Sequence, residues 1–135
     1  MDGVNFITDP VFSDRCSPIS FIGIVIIHFK SHKSGPKRYR RVPLEIEQLP
    51  SLDFVILSHN HYDHLDKASV LRIGNKPTWF VPLGLKSWFA SLGITNVVEL
   101  DWWQEHQFND TTKVVLFPVQ HWSNRGINRF ESLVM

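Results

Sequence analysis

Cysteine is all but absent from this 135-residue chain. Cys16 stands alone, so no internal disulfide framework is available, which is the thiol chemistry of an intracellular protein. An excess of one charge is also lacking. Fourteen Lys+Arg stand against thirteen Asp+Glu, a formal net charge of +1. That balance creates no global field for nucleic acid, which is therefore not expected as a partner. Long apolar runs are missing too. The longest, FIGIVIIHF over Phe21–Phe29, is interrupted by Gly23 and His28, whereas a membrane-crossing helix needs roughly twenty residues. The opening MDGVNFITDP has neither a basic n-region nor an apolar h-region, so no secretory signal is expected. The expected location is intracellular, either cytoplasmic or peripherally associated with a membrane.

What is present has globular character. The chain is 43% hydrophobic and 20% charged, which suits one domain or one piece of a larger domain. Eight prolines and seven glycines argue against a helical bundle. Aromatics are plentiful, with five Trp, which fits strands and a lipid-facing or ligand-facing surface. Short apolar runs alternate with turn residues. Val4–Thr8 reads as a strand stopped by Asp9-Pro10. Asp53–Ser58 reads as a short buried strand. Asp66–Ile73 reads as a helix with Asp66 as its N-cap and Gly74 as its stop. Trp79–Val81 reads as a strand, and Leu83–Leu92 as a helix opened by Pro82 and closed by Gly93. Asn96–Leu100 and Lys113–Val119 read as two more strands. This alternation predicts an α/β layered domain.

One segment is strongly basic. From His28 to Arg41 there are six Lys/Arg, two His and no acid. A solvated loop is the plain reading. The sharper one is a contact for phosphate head groups or an anionic membrane through Lys37, Arg38, Arg40 and Arg41.

The chemistry concentrates in Ser58-His59-Asn60-His61-Tyr62-Asp63-His64, which fits H-x-H-x-D-H. Three His and one Asp at these offsets arise by chance about once in a thousand chains of this composition. Residues i and i+2 leaving a strand point to the same side. His59 and His61 can thus present imidazoles to one cation, while Asp63 and His64, beyond the turn, face a second position. Imidazole with carboxylate suits zinc, with iron and manganese as rivals. Two such cations can hold a hydroxide between them and clamp a phosphoryl displacement. His121 follows the strand Lys113–Val119. Alone it reads as a structural histidine, but beside the cluster it reads as a further ligand. His106 lies in a polar run and reads as surface, and His28 and His32 as loop residues. Cys16 has no base beside it in a recognisable motif and reads as a small packing or loop residue.

These residues resemble a known family. H-x-H-x-D-H is the signature of the metallo-β-lactamase superfamily, an αββα sandwich. The closer resemblance is to the N-acylphosphatidylethanolamine-hydrolysing phospholipase D family. It is carried by Thr8-Asp9-Pro10-Val11-Phe12-Ser13, Ser17-Pro18, Pro36-Lys37-Arg38-Tyr39-Arg40-Arg41, the His59–Asp66 segment, Trp79-Phe80-Val81-Pro82-Leu83-Gly84-Leu85, Glu99-Leu100-Asp101-Trp102-Trp103 and Gln120-His121-Trp122. The resemblance implies a zinc phosphodiesterase at a membrane surface. It would cleave N-acylphosphatidylethanolamine to phosphatidic acid and an N-acylethanolamine, and would form a homodimer in the full-length family. It implies that His59, His61 and His121 hold one zinc, that Asp63 and His64 hold a second, and that Asp63 orients the hydroxide. A catalytically incomplete isoform that binds zinc or lipid without turnover, or another hydrolase of the same fold, are the alternatives.

The chain also departs from the family pattern. The family's later bridging Asp and a further His have no counterpart before Met135, so one zinc or fewer is expected here. Ile24–Gly35 reads as an insertion, and the tail beyond Leu133 as a break from the pattern, which together suggest a truncated isoform or an imperfect gene model. The expected fold is the N-terminal half of the αββα sandwich. Val55, Ile56, Leu57, Val114, Leu116 and Phe117 would then lack an opposing sheet, and such an apolar face favours association.

Overall fold

The structure, a computed structural model, describes residues 3–16, 37–123 and 132–134. The apparent insertion at Ile24–Gly35, along with His28 and His32, lies outside the described residues. The centre of the fold is a four-stranded parallel sheet in the order β1-β2-β3-β4. Its strands are β1 (Phe6–Thr8), β2 (Phe54–Ile56), β3 (Thr78–Pro82) and β4 (Val97–Leu100). Helix α1 (Lys67–Ile73) connects β2 to β3, and helix α2 (Lys86–Ser91) connects β3 to β4. A 3-10 turn at Ile46–Gln48 precedes β2. The predicted α/β architecture is the one observed.

Side chains alternate across a strand, so the sheet has two apolar faces. On one face Val55, Leu57, Trp79, Val81 and Val97 pack with Leu65 and Val70 around α1, and with Phe89 and Ile94 around α2. On the other, Phe54, Phe80 and Leu100 form a second cluster. Its cover comes from Phe108, Val114 and Leu116, in and beside an antiparallel hairpin of β5 (Glu105–Gln107) and β6 (Lys113–Val115). Each fully buried large side chain contributes about 1.5–3 kcal/mol. The expectation that six apolar residues share one unsupported face is therefore corrected. Val55 and Leu57 lie under the helices, Val114 and Leu116 pack against the far side, and Phe117 is the one of the six that stands exposed.

Local chemistry explains the helix ends. The Asp66 carboxylate caps α1 by accepting from the Ala68 N–H at 3.3 Å, and Gly74 ends it at φ 72°. Leu65 and Val70, the residues of a hydrophobic staple, share the same core cluster. Helix α2 starts three residues later than Leu83. Pro82 belongs to β3, where it pairs with Leu100, and Gly84 turns the chain at φ 89°. Leu85 has no side chain able to cap. Glu99 supplies the missing acceptor from β4, taking the Lys86 N–H at 2.7 Å. The strand predicted over Lys113–Val119 ends at Val115. Pro118 has no N–H for a ladder. His121 instead opens a new strand, β7 (His121–Ser123), antiparallel to β8 (Ser132–Val134). His106, expected at the surface, is half-buried on β5 with its ring 5.4 Å from that of Phe80. No helix among the described residues is long and apolar enough to cross a membrane.

Candidate metal centre

Both β1 and β2 deliver polar residues at their carboxyl ends, the edge where parallel α/β sheets place ligands. Asp9 follows β1, and the segment Leu57–Leu65 follows β2. His59 and His61 leave β2 on one side, with ring centroids 4.6 Å apart. His121 comes to them from the start of β7. The Ser123 hydroxyl, on that same strand, donates to Asn60 Oδ1 at 2.7 Å and so ties β7 to the residue between the two histidines.

The three imidazoles converge through their nitrogens. His121 Nε2 lies 3.2 Å from His59 Nε2 and 3.3 Å from His61 Nδ1. One ligand atom from each residue falls within 4.8 Å of the others. Zinc–imidazole bonds of about 2.0–2.1 Å in tetrahedral geometry place ligand nitrogens about 3.3 Å apart. The donor set and its spacing therefore fit one zinc ion.

Burial keeps His59 and His61 ready to coordinate. His59 is 4% exposed, and burial, followed by the nearby His64, His61 and His121, pushes its pKa down to about 4. His61 is lowered as well, first by burial and then by His121. A neutral imidazole keeps the lone pair that a metal needs.

Asp63 and His64 lie beside the trio but outside the set of converging nitrogens. His64 Nε2 faces Asp63 Oδ2 at 4.0 Å, with side chains 36% and 57% exposed. The His64 ring lies tilted against that of His59, 4.0 Å between centroids. Its Nδ1 donates to Asp9 Oδ2 at 2.9 Å. The structure thus gathers His59, His61 and His121 at one position, with half-buried His64 and exposed Asp63 beside it.

The basic residues divide in use. Arg38 donates from Nε to the Ser13 carbonyl at 3.2 Å and from an Nη to the Val11 carbonyl. Its guanidinium holds the segment after Asp9-Pro10 in place. Lys37 bridges to Arg15 through the backbone, and Lys37, Arg40 and Arg41 are exposed. Cys16 is half-buried, and burial raises its thiol pKa. A low thiolate fraction does not suit a nucleophile.

Four residues gained site roles that motif reading missed: Asp9, Ser58, Asn60 and Ser123. No local signal marks Asp9 or Ser58, because the sheet register is what brings them together. In the parallel register Thr8 pairs with Ile56, so an acid directly after β1 must fall beside the residues directly after β2.

Residues 4–135 match the beta-lactamase superfamily domain. The chain belongs to that superfamily. As a superfamily member it is similar to N-acyl-phosphatidylethanolamine-hydrolyzing phospholipase D 1 of Caenorhabditis elegans, at 42% identity over 95% of this chain and 36% of that protein. It is also similar to the mitochondrial N-acyl-phosphatidylethanolamine-hydrolyzing phospholipase D of Saccharomyces cerevisiae, at 38% identity over 93% of this chain and 25% of that protein. An uncharacterized Mycobacterium tuberculosis protein is 37% identical over 98% of the chain and 33% of its own length. The chain spans 25–36% of the length of these curated relatives.

Proposed function

We propose that this superfamily member carries the zinc-binding portion of a phospholipase D-type phosphodiesterase acting on N-acylphosphatidylethanolamine at a membrane surface. The observation that carries the proposal is the convergence of His121 Nε2 on His59 Nε2 and His61 Nδ1 at 3.2 and 3.3 Å. The names of two relatives supply the substrate class. In this reading His59, His61 and His121 hold the ion. A bound zinc supplies a Lewis acid and lowers the pKa of water to near neutrality. The exposed Asp63 carboxylate accepts the proton of the attacking water, and His64 lies beside it. The water oxygen bonds to phosphorus, the bond from phosphorus to the ethanolamine oxygen breaks, and that oxygen takes up the proton that Asp63 accepted. Products are phosphatidic acid and an N-acylethanolamine. Arg40 and Arg41, exposed on the segment that Arg38 anchors beside the site, attract anionic lipid.

One observation favours a second reading, zinc and lipid binding without turnover. A second cation beside the trio would find two donors among the described residues, Asp63 and His64, one fewer than the three protein ligands usual for catalytic zinc. Release of N-acylethanolamine from mixed micelles by zinc-loaded chain separates the two. Release that disappears in Asp63→Asn supports hydrolysis. Full zinc loading with no release at any enzyme concentration supports binding alone.

A further inference from the structure

Beneath the histidines lies a hydrogen-bonded chain ending on one carboxylate. Asp9 Oδ1 accepts the Ser58 backbone N–H at 2.7 Å. Asp9 Oδ2 lies 2.6 Å from Ser58 Oγ and 2.9 Å from His64 Nδ1. Ser58 Oγ also lies 2.8 Å from His59 Nδ1. A carboxylate only accepts, and a hydroxyl has one proton to give. The Ser58 proton therefore goes to Asp9, and Ser58 Oγ must accept from His59 Nδ1–H. By the same logic His64 Nδ1 carries its proton toward Asp9. The Nε2 of both rings is left with its lone pair: that of His59 faces His121, and that of His64 faces Asp63.

The backbone at Asp9 supports a dedicated role. Its φ is 43°, in the left-handed region, and Pro10 follows it. Left-handed residues other than glycine cost of order 1–3 kcal/mol and persist where the surroundings over-determine them. Here the Asp9 N–H is fixed on the Ile56 carbonyl at 2.9 Å, and Arg38 binds the carbonyls of Val11 and Ser13 just downstream.

We infer that Asp9 is a positioning residue that sets the tautomers of His59, through the Ser58 hydroxyl, and of His64 directly. One acid thereby orients a nitrogen toward each of the two candidate metal positions. The inference rests on the metal-site reading for its purpose, but its proton placement can be tested without metal or substrate.

The experiment is imidazole 15N NMR on the metal-free full chain slightly above neutral pH. The expected result is a protonated Nδ1 and an unprotonated Nε2 for both His59 and His64. In Ser58→Ala, His59 becomes a tautomer mixture while His64 is unchanged, and Ser58→Thr restores the wild-type pattern. In Asp9→Asn both histidines change. Zinc competition with a chelator follows the same order. Ser58→Ala weakens zinc about 10–100-fold, the range for outer-shell partners of metal-bound His, and Ser58→Thr recovers it. Nε2–H tautomers in the wild-type chain, or a His59 tautomer untouched by Ser58→Ala, would overturn the inference. Correct tautomers in a chain that binds no zinc would instead remove the metal-site reading and leave the proton placement standing.

Discussion

His59 is buried, neutral and in contact with three other imidazoles. Its folded pKa of about 4 lies below the ordinary 6.5. The unfolded chain therefore binds more protons between these values. Stability from His59 is fully present above pH 6.5 and is lost as pH falls toward about 4. Thermal melts of metal-free chain across that window should show a falling midpoint on acidification, with the slope reduced in His59→Gln. His121 carries a different expectation. Its Nε2 is the nitrogen shared by both short contacts, so His121→Ala should lower zinc affinity by more than the roughly 100-fold ceiling of an outer-shell change. A chelator competition assay reads this directly. The His59–His64 motif was legible in the sequence because its spacing is local. The role of Asp9 was not, since 49 residues separate it from Ser58 and only the sheet brings them together.

Elements hold these residues where the chemistry needs them. Helix α1 is tied to the loop after β1 through Asp66. Its Oδ2 accepts from the Ser13 hydroxyl at 2.7 Å and from the Ser69 hydroxyl at 2.6 Å, besides capping the helix. Asp66→Ala should cost about 2 kcal/mol, the upper end of an N-cap loss, read as a shift in denaturation midpoint. Ser123→Ala cuts the bond from β7 to Asn60. It should cost about 1 kcal/mol in stability and weaken zinc binding while all three histidines remain. The cap at Asp66 and the stop at Gly74 were readable because both are local rules. The start of α2 was not, because its capping acceptor, Glu99, comes from a strand 13 residues further on. β7 was hidden too, since a three-residue strand, HWS, carries no apolar alternation to read.

At the scale of the whole molecule, the parallel sheet is covered on both faces among the described residues, by helices on one side and a hairpin on the other. Trp103 and Phe117 remain exposed, with rings edge to face at 5.3 Å, and Leu83 and Val119 are exposed as well. The abundance of aromatics was visible from composition. Which of them face solvent depended on the sheet register, which composition does not contain. The exposed Arg40 and Arg41 give a whole-molecule prediction. Arg40→Gln with Arg41→Gln should weaken binding to vesicles containing anionic lipid in a salt-sensitive way, at about 1 kcal/mol per charge, and leave zinc content unchanged. Co-sedimentation with vesicles at two ionic strengths measures it.

The proposed function depends on three histidine nitrogens, brought together from the segment after β2 and the start of β7, holding a cation. Equilibrium zinc titration of the folded, metal-free chain tests that most directly. One tightly held zinc per chain is expected, lost in the His59→Ala, His61→Ala double variant at unchanged secondary structure. No saturable binding by folded chain in excess zinc, or equal binding by the double variant, would contradict it.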